Sequence, residues 1–203
     1  MKKLWQFIVI LTSMLALSAC SSFFPTDNST PPSPLVDFTP SINVITLWSA
    51  KPTSGGTQTY LRLTTAVTST QIFVDDYHGN VVALNSQTGD ELWRVNLNTK
   101  LTSGVASLGD NIYLASESGE VFALSAKDGA TVWETPVSSQ VLATPTAVDH
   151  AVYIKSIDGA LTALSVSDGS QLWRYTENVP SLILHESSQP VVAGGDVVVG
   201  FSN

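Results

Sequence analysis

Asp75-Asp76-Tyr77-His78 is the densest group of potential ligands in the sequence. Two carboxylates beside an imidazole offer oxygen and nitrogen donors, but a metal site needs several side chains converging on one point. Forty residues later the same four places hold Ala115-Ser116-Glu117-Ser118, and forty further on Lys155-Ser156-Ile157-Asp158. A donor set that its own repeats do not keep reads as the end of a strand and its turn. His150 falls beside Asp149 at another predicted turn, and no Ser-His-Asp grouping stands at a workable spacing. The residues point to no catalytic group, no metal and no cofactor.

Cys20 is the sole cysteine, so no disulfide, thiolate-bound metal or second thiol is available. It follows Lys2, Lys3 and an apolar run from Leu4 to Leu17, shorter than the roughly 20 residues a membrane span needs. A basic start, a short greasy core and small residues before the cysteine make a secretory signal over residues 1–19. Leu17-Ser18-Ala19-Cys20 resembles the bacterial lipobox, which implies that Cys20 is lipidated after the signal is removed. One acyl chain holds a protein only marginally on a membrane, whereas two or more anchor it. In lipoproteins a serine after the cysteine, here Ser21, implies transport to the outer membrane. Residues 20–41 then form a tether. Five of the ten prolines lie in 21–41, and Pro-rich chain extends by ~3.1 Å per residue, a reach of roughly 60 Å.

With Lys2 and Lys3 gone, seven basic side chains face 17 acidic ones, a formal charge of −10. Such a surface repels phosphate backbones, and no basic stripe offsets it; nucleic acid is not an expected partner. Short runs of Val, Ile, Leu, Thr and Tyr broken by Gly, Asp and Asn read as an all-β fold.

Three segments align without gaps: GNVVALNSQTGDELW at 79–93, GEVFALSAKDGATVW at 119–133 and GALTALSVSDGSQLW at 159–173. Gly79, Gly119 and Gly159 are forty apart, and so are Trp93, Trp133 and Trp173. Five identities in triplicate set the period, with repeats near 61–100, 101–140, 141–180 and 181–203. In the third unit the turn residues mark four strands, at 144–149, 151–157, 160–166 and 170–176. Both faces of ALTALSV and of NVVALNS are mostly apolar, so each sheet must be covered on both sides. Four-stranded sheets stacked at this period describe a β-propeller with blades of the PQQ-like or WD40-like kind. About three and a half blades are present.

The pattern A-L-x-x-x-x-G-x-x-x-W resembles the pyrroloquinoline-quinone-type propeller repeat, in which the outer-strand tryptophan docks on the next blade. Trp93, Trp133 and Trp173 match it. Trp48, in residues 42–60, looks like a lone outer strand of the kind that closes such rings by pairing near the C-terminus. The fourth unit stops at Asn203, and Trp48 finds no mate in the sequence. The chain is therefore expected to be a piece of a longer protein, an eight-bladed ring; the competing expectation is a short protein that closes by pairing two chains. The quinone dehydrogenases of this fold carry a vicinal cysteine pair, calcium-binding carboxylates and a catalytic aspartate, none of which this sequence displays.

The spacing breaks once. Trp133 to Pro145 is 12 residues, Trp173 to Pro190 is 17, and the added length falls in ENVPSLILHESSQP. Leu182 and Leu184 would point the same way in extended chain. The residues alone leave two readings open, a protein anchor or a local plug. Signal, lipobox, tether, ITLWSAKP, tryptophan repeats and PSLILHESSQP, in this order, resemble the BamB family of the outer-membrane β-barrel assembly (BAM) machinery. The resemblance implies a non-catalytic, lipid-anchored propeller on the periplasmic face of the outer membrane. Its partners would be the periplasmic domains of BamA, with unfolded outer-membrane proteins as clients. Leu182 and Leu184 match the family's two contact leucines, and His185 stands where the family has an arginine, whose forked hydrogen bonds a neutral imidazole does not make. The alternative readings are a periplasmic propeller enzyme, or a ligand-binding lipoprotein, with its site outside this stretch.

Overall fold

The computed structural model describes residues 33–34, 41–42, 44–55, 60–180 and 188–201. The chain divides into Met1–Val44 and Ile45–Asn203. In the first unit the described residues are all exposed. The second holds the sheets.

Blade 1 comprises β1 (Ala66–Val67), β2 (Gln71–Asp75), β3 (Asn80–Asn85) and β4 (Glu91–Asn96), hydrogen-bonded in that order. Blade 2 repeats it with β5 (Ala106–Leu108), β6 (Asn111–Ala115), β7 (Glu120–Ser125) and β8 (Thr131–Pro136). Blade 3 follows with β9 (Thr146–Val148), β10 (Ala151–Lys155), β11 (Ala160–Ser165) and β12 (Gln171–Thr176). A two-stranded sheet of β13 (Val191–Ala193) and β14 (Asp196–Val198) begins a fourth. Every pairing is antiparallel. The sequence-based fold therefore holds: three complete blades and part of another.

The third strands explain the stacking. In β3 and β7 four consecutive residues are buried, and in β11 five. A strand apolar on both faces is stable only between two layers. The cores accordingly lie in the seams. Phe73, Val81, Ala83, Leu101, Ile112, Leu114 and Phe122 fill one between blades 1 and 2; Tyr113, Val121, Ala123, Val152, Ile154 and Leu164 fill the next.

Each outer strand carries a β-bulge that the sequence did not disclose. Ala83 pairs with Trp93 while Leu84 pairs with Glu91, leaving Leu92 extra; Val132 and Leu172 are extra in the other two blades. A bulge re-aims the side chains around it. Leu92, Val132 and Leu172 are exposed, and the tryptophan after each is turned across its own sheet. Trp93, Trp133 and Trp173 meet Phe73, Tyr113 and Tyr153 of their own blades, with ring centroids 5.8–5.9 Å apart.

On its other side the indole covers a glycine of the following blade. Trp93 Nε1 donates to Ala126 O (3.0 Å) and Trp133 Nε1 to Val166 O (3.0 Å). A Cβ on Gly129 would stand 2.8 Å from the Trp93 ring, and one on Gly169 2.6 Å from the Trp133 ring. The turn glycine thus serves as the seat of the indole as well as a source of positive φ.

Trp48 docks on blade 1 as the repeat tryptophans dock on their following blades. It lies over Gly89 of blade 1 and donates to Ser86 O at 3.1 Å, the same docking made from outside the blades. Residues 44–55 form no strand and lie as a strap against blade 1, through Trp48 on Gly89 and Pro52 O accepting from Arg94. Trp173 occupies the same place in blade 3, and the grid position of its seat, forty residues after Gly169, lies past Asn203. It remains 40% exposed, against 8% for Trp133, because no described glycine turn covers it.

Candidate functional site

The residues that the sequence analysis ties to a partner, Leu182, Leu184 and His185, lie outside the described residues, as does Cys20. The two roots of that connection are described. It leaves blade 3 after β12 through Glu177–Pro180 and returns at Ser188.

The returning root is fastened. Thr146 Oγ1 donates to Pro190 O at 2.5 Å, and Gln189 Nε2 donates to Thr146 Oγ1 at 3.2 Å. Lys155, at the end of β10, donates to Ser188 Oγ (3.2 Å) and to Gly200 O, with its ammonium 5.3 Å from the centre of the Phe201 ring. Burial pulls the Lys155 ammonium below its usual pKa. A buried cation is kept by such partners, and here they bind the start of the fourth sheet to blade 3.

Around these roots the surface is apolar. Leu172, Trp173 and Tyr175 project from β12, every residue of which is exposed, and Val191 and Val198 are open on the neighbouring hairpin. Tyr175 meets Phe201 at 6.2 Å and donates its hydroxyl to Glu177 at 2.5 Å. Arg174 holds Asp158 at 3.4 Å on the rim. In blades 1 and 2 the tryptophan at this grid place is covered by the turn glycine of the following blade, so the open face of β12 is the one on which a next blade seats.

Asp75-Asp76-Tyr77-His78 takes the structure its repeats imply. Asp75 ends β2, and Asp76–Gly79 form the turn into β3. The two carboxyls have opposite surroundings. Asp76 Oδ1 accepts the amides of His78 (2.9 Å) and Asn80 (3.1 Å), and burial is outweighed by the Asn80 and Ser54 hydrogen bonds that hold its pKa low. Asp75 is 2% exposed, and its Oδ2 meets no partner. Burial, with the Asp76 charge adding to it and a backbone hydrogen bond opposing, pushes its pKa up to about 8. Among the described residues no group of three or more His, Cys, Asp and Glu gathers as metal ligands would.

The seats Gly89, Gly129 and Gly169 are marked in the sequence by their forty-residue spacing, and the signal that identifies them is the tryptophan of the preceding unit. The exposure of Trp173 was not legible either, because it occupies the grid place of Trp133, which is buried.

Comparison with known proteins agrees with this architecture. The family model described as outer membrane protein assembly factor BamB matches residues 77–203. The outer membrane protein assembly factor BamB of Bordetella pertussis is 30% identical over 112 residues, 55% of this chain and 28% of the relative. The crystal structure of BamB from Moraxella catarrhalis superposes with a TM-score of 0.64 at 22% identity, covering 68% of this chain and 42% of that one. A europium-containing methanol dehydrogenase superposes with a TM-score of 0.51 at 17% identity, covering 57% of this chain and 24% of its own, a likeness of fold alone. The matched stretch thus spans less than half of any of these proteins. With that model covering more than half of the chain, the chain belongs to the BamB family of outer membrane protein assembly factors.

Proposed function

We propose that the protein is a non-catalytic scaffold of outer-membrane protein assembly, anchored through lipidated Cys20 to the periplasmic face of the outer membrane. It docks on the periplasmic domains of BamA through the connection after β12, with Leu182 and Leu184 as the apolar anchors and His185 beside them. Unfolded outer-membrane proteins are its clients. The observation that carries this reading is the family match over 77–203, which includes the one connection that departs from the forty-residue spacing. A docking role asks for no nucleophile, metal or cofactor.

The test is the double variant Leu182→Asp with Leu184→Asp, in the protein expressed with its signal and tether. Two charges in a buried patch cost several kcal/mol unless paired. The expected outcome is at least a tenfold drop in the BamA recovered with the protein, at an unchanged circular dichroism spectrum. Undiminished recovery removes the connection from the interface.

A further inference from the structure

Five or six residues after three of the tryptophans, in the chain that follows β4 and β8 and in the strap, stands a hydroxyl residue: Ser54 after Trp48, Thr99 after Trp93 and Ser138 after Trp133. The structure brings each of them to the turn between the second and third strands of the following blade. Ser54 Oγ donates to Asp76 Oδ2 at 3.2 Å, and the Ser54 amide donates to the same oxygen at 3.4 Å. Thr99 Oγ1 donates to Glu120 Oε2 at 3.3 Å. Ser138 Oγ lies 3.3 Å from Ser156 Oγ, which donates to Asp158 Oδ1 at 2.6 Å.

The three acids do not share a repeat position. Forty residues from Asp76 stand Ser116 and Ser156; Ser116 joins Thr99 on the Glu120 carboxylate, and Ser156 passes the contact from Ser138 on to Asp158. Ser116 Oγ donates to Glu120 Oε2 at 2.5 Å, as Ser156 does to Asp158. The carboxylate has moved along the turn while the contact across the seam has stayed. Conservation of an interaction through different residues is hard to explain as turn chemistry alone, since a turn is indifferent to what the neighbouring blade offers.

We propose that a hydroxyl–carboxylate latch, repeated at the junction of the strap with blade 1 and at the seams between blades 1 and 2 and blades 2 and 3, fastens each outer strand or strap to the next blade and releases in acid. A hydrogen bond to an ionised acceptor is about twice as strong as one between neutral groups, and that excess disappears on protonation. Ser116 and Ser118 hold Glu120 low, against burial, with Thr99 adding to them. Asp158 is pushed up by burial but held low overall by Ser138, Ser156, the Ala160 amide and Arg174. Asp76 is likewise held low. A native carboxylate below its unfolded pKa gives stability that is complete above the unfolded value and lost as pH falls through the native one. The window therefore opens below the ordinary values of 3.8 for aspartate and 4.5 for glutamate.

Other charged groups near the latches are few. Arg94 lies near Asp76 but is engaged by Glu91 at 2.6 Å, and buried Asp75 adjoins it. His78 lies in the same turn. Lys100 and Glu117 pair at 3.3 Å in the blade 2 turn, and Arg174 faces Asp158 at 3.4 Å. None replaces the hydroxyl.

The test removes the hydroxyl and leaves the acid. Ser54→Ala, Thr99→Val and Ser138→Ala, singly and together, are compared with Thr88→Val, whose hydroxyl serves only Asp90 in an exposed turn. Thermal midpoints are followed from pH 7 to pH 3, and carboxyl pKa values are read by NMR. Each latch variant is expected to lower the midpoint at pH 7 by about 2–4 °C, the shift that ~1 kcal/mol gives a domain of this size. Each should also raise the pKa of its own acid, and the triple variant should lose less on acidification than the parent. Unchanged pKa values and an unchanged acid profile would make the three acids caps of their own turns and overturn the latch.

Discussion

The seam between blades 2 and 3 and the outer face of blade 3 are built from the same grid of residues, forty places apart. In the seam Trp133 is clamped between Tyr113 and Gly169 and is 8% exposed; on the face Trp173 has Tyr153 on one side, no described seat on the other, and is 40% exposed. The same amino acid in the same strand is core in one blade and surface in the next. What differs is the neighbour. A propeller blade does not own its core; it shares half of it with whatever lies against its outer strand, as repeat proteins do in general.

The largest effect that would break this contrast is truncation of the indole. Trp133→Ala should cost about 3–5 kcal/mol, the range for a fully buried tryptophan. Trp173→Ala should cost about 1 kcal/mol or less, as is usual for surface positions. Equal losses in chemical denaturation would mean that the outer face of blade 3 is covered in solution.

A second prediction turns on one grid place that each blade fills differently. Asp75 lies two residues from seam residue Phe73, on the same face of β2, Ala115 lies in the core of the next seam, and Lys155 reaches the fourth sheet. Ala115 fits without cost. Asp75 holds a proton in the native state, up to about pH 8, that the unfolded chain releases near 3.8. Stability should therefore fall as pH rises from about 4 to 8, the reverse of the latch acids. Asp75→Asn removes this slope and should stabilise the protein at pH 7 by at most about 4 kcal/mol, from the roughly three pH units between the unfolded value of 3.8 and pH 7 at ~1.4 kcal/mol per unit. A pH titration of the melting midpoint checks the sign; a variant with an unaltered slope refutes it. The smallest effect sharpens the comparison from the other side. Val132→Thr and Leu172→Thr, both at bulges facing outward, should each change stability by about 0.5 kcal/mol or less. A larger loss in blade 2 alone would show that its bulge residue is part of the seam.

Much of this was legible beforehand. The strands of the third unit fall where its Asp-Gly turns put them, because a hairpin turn needs positive φ and glycine supplies it cheaply. The cover on both faces of β3, β7 and β11 followed from their apolar residues. The bulges were not legible, since an extra residue in one strand shows only against its partner. Nor were the latches, because Asp76, Glu120 and Asp158 sit at three different repeat places, and a search for identity at a fixed period passes over an interaction maintained by substitution.

The sequence by itself determined the period, the blade and the direction of every strand, since these rest on local rules of turn, pleat and hydrophobic alternation. Only the tertiary structure decided which tryptophans are buried, that Trp48 is a strap over blade 1, and that two adjacent aspartates titrate on opposite sides of neutrality. Burial and hydrogen bonding belong to surroundings, and in this fold the surroundings of a residue come from a chain segment some forty positions away.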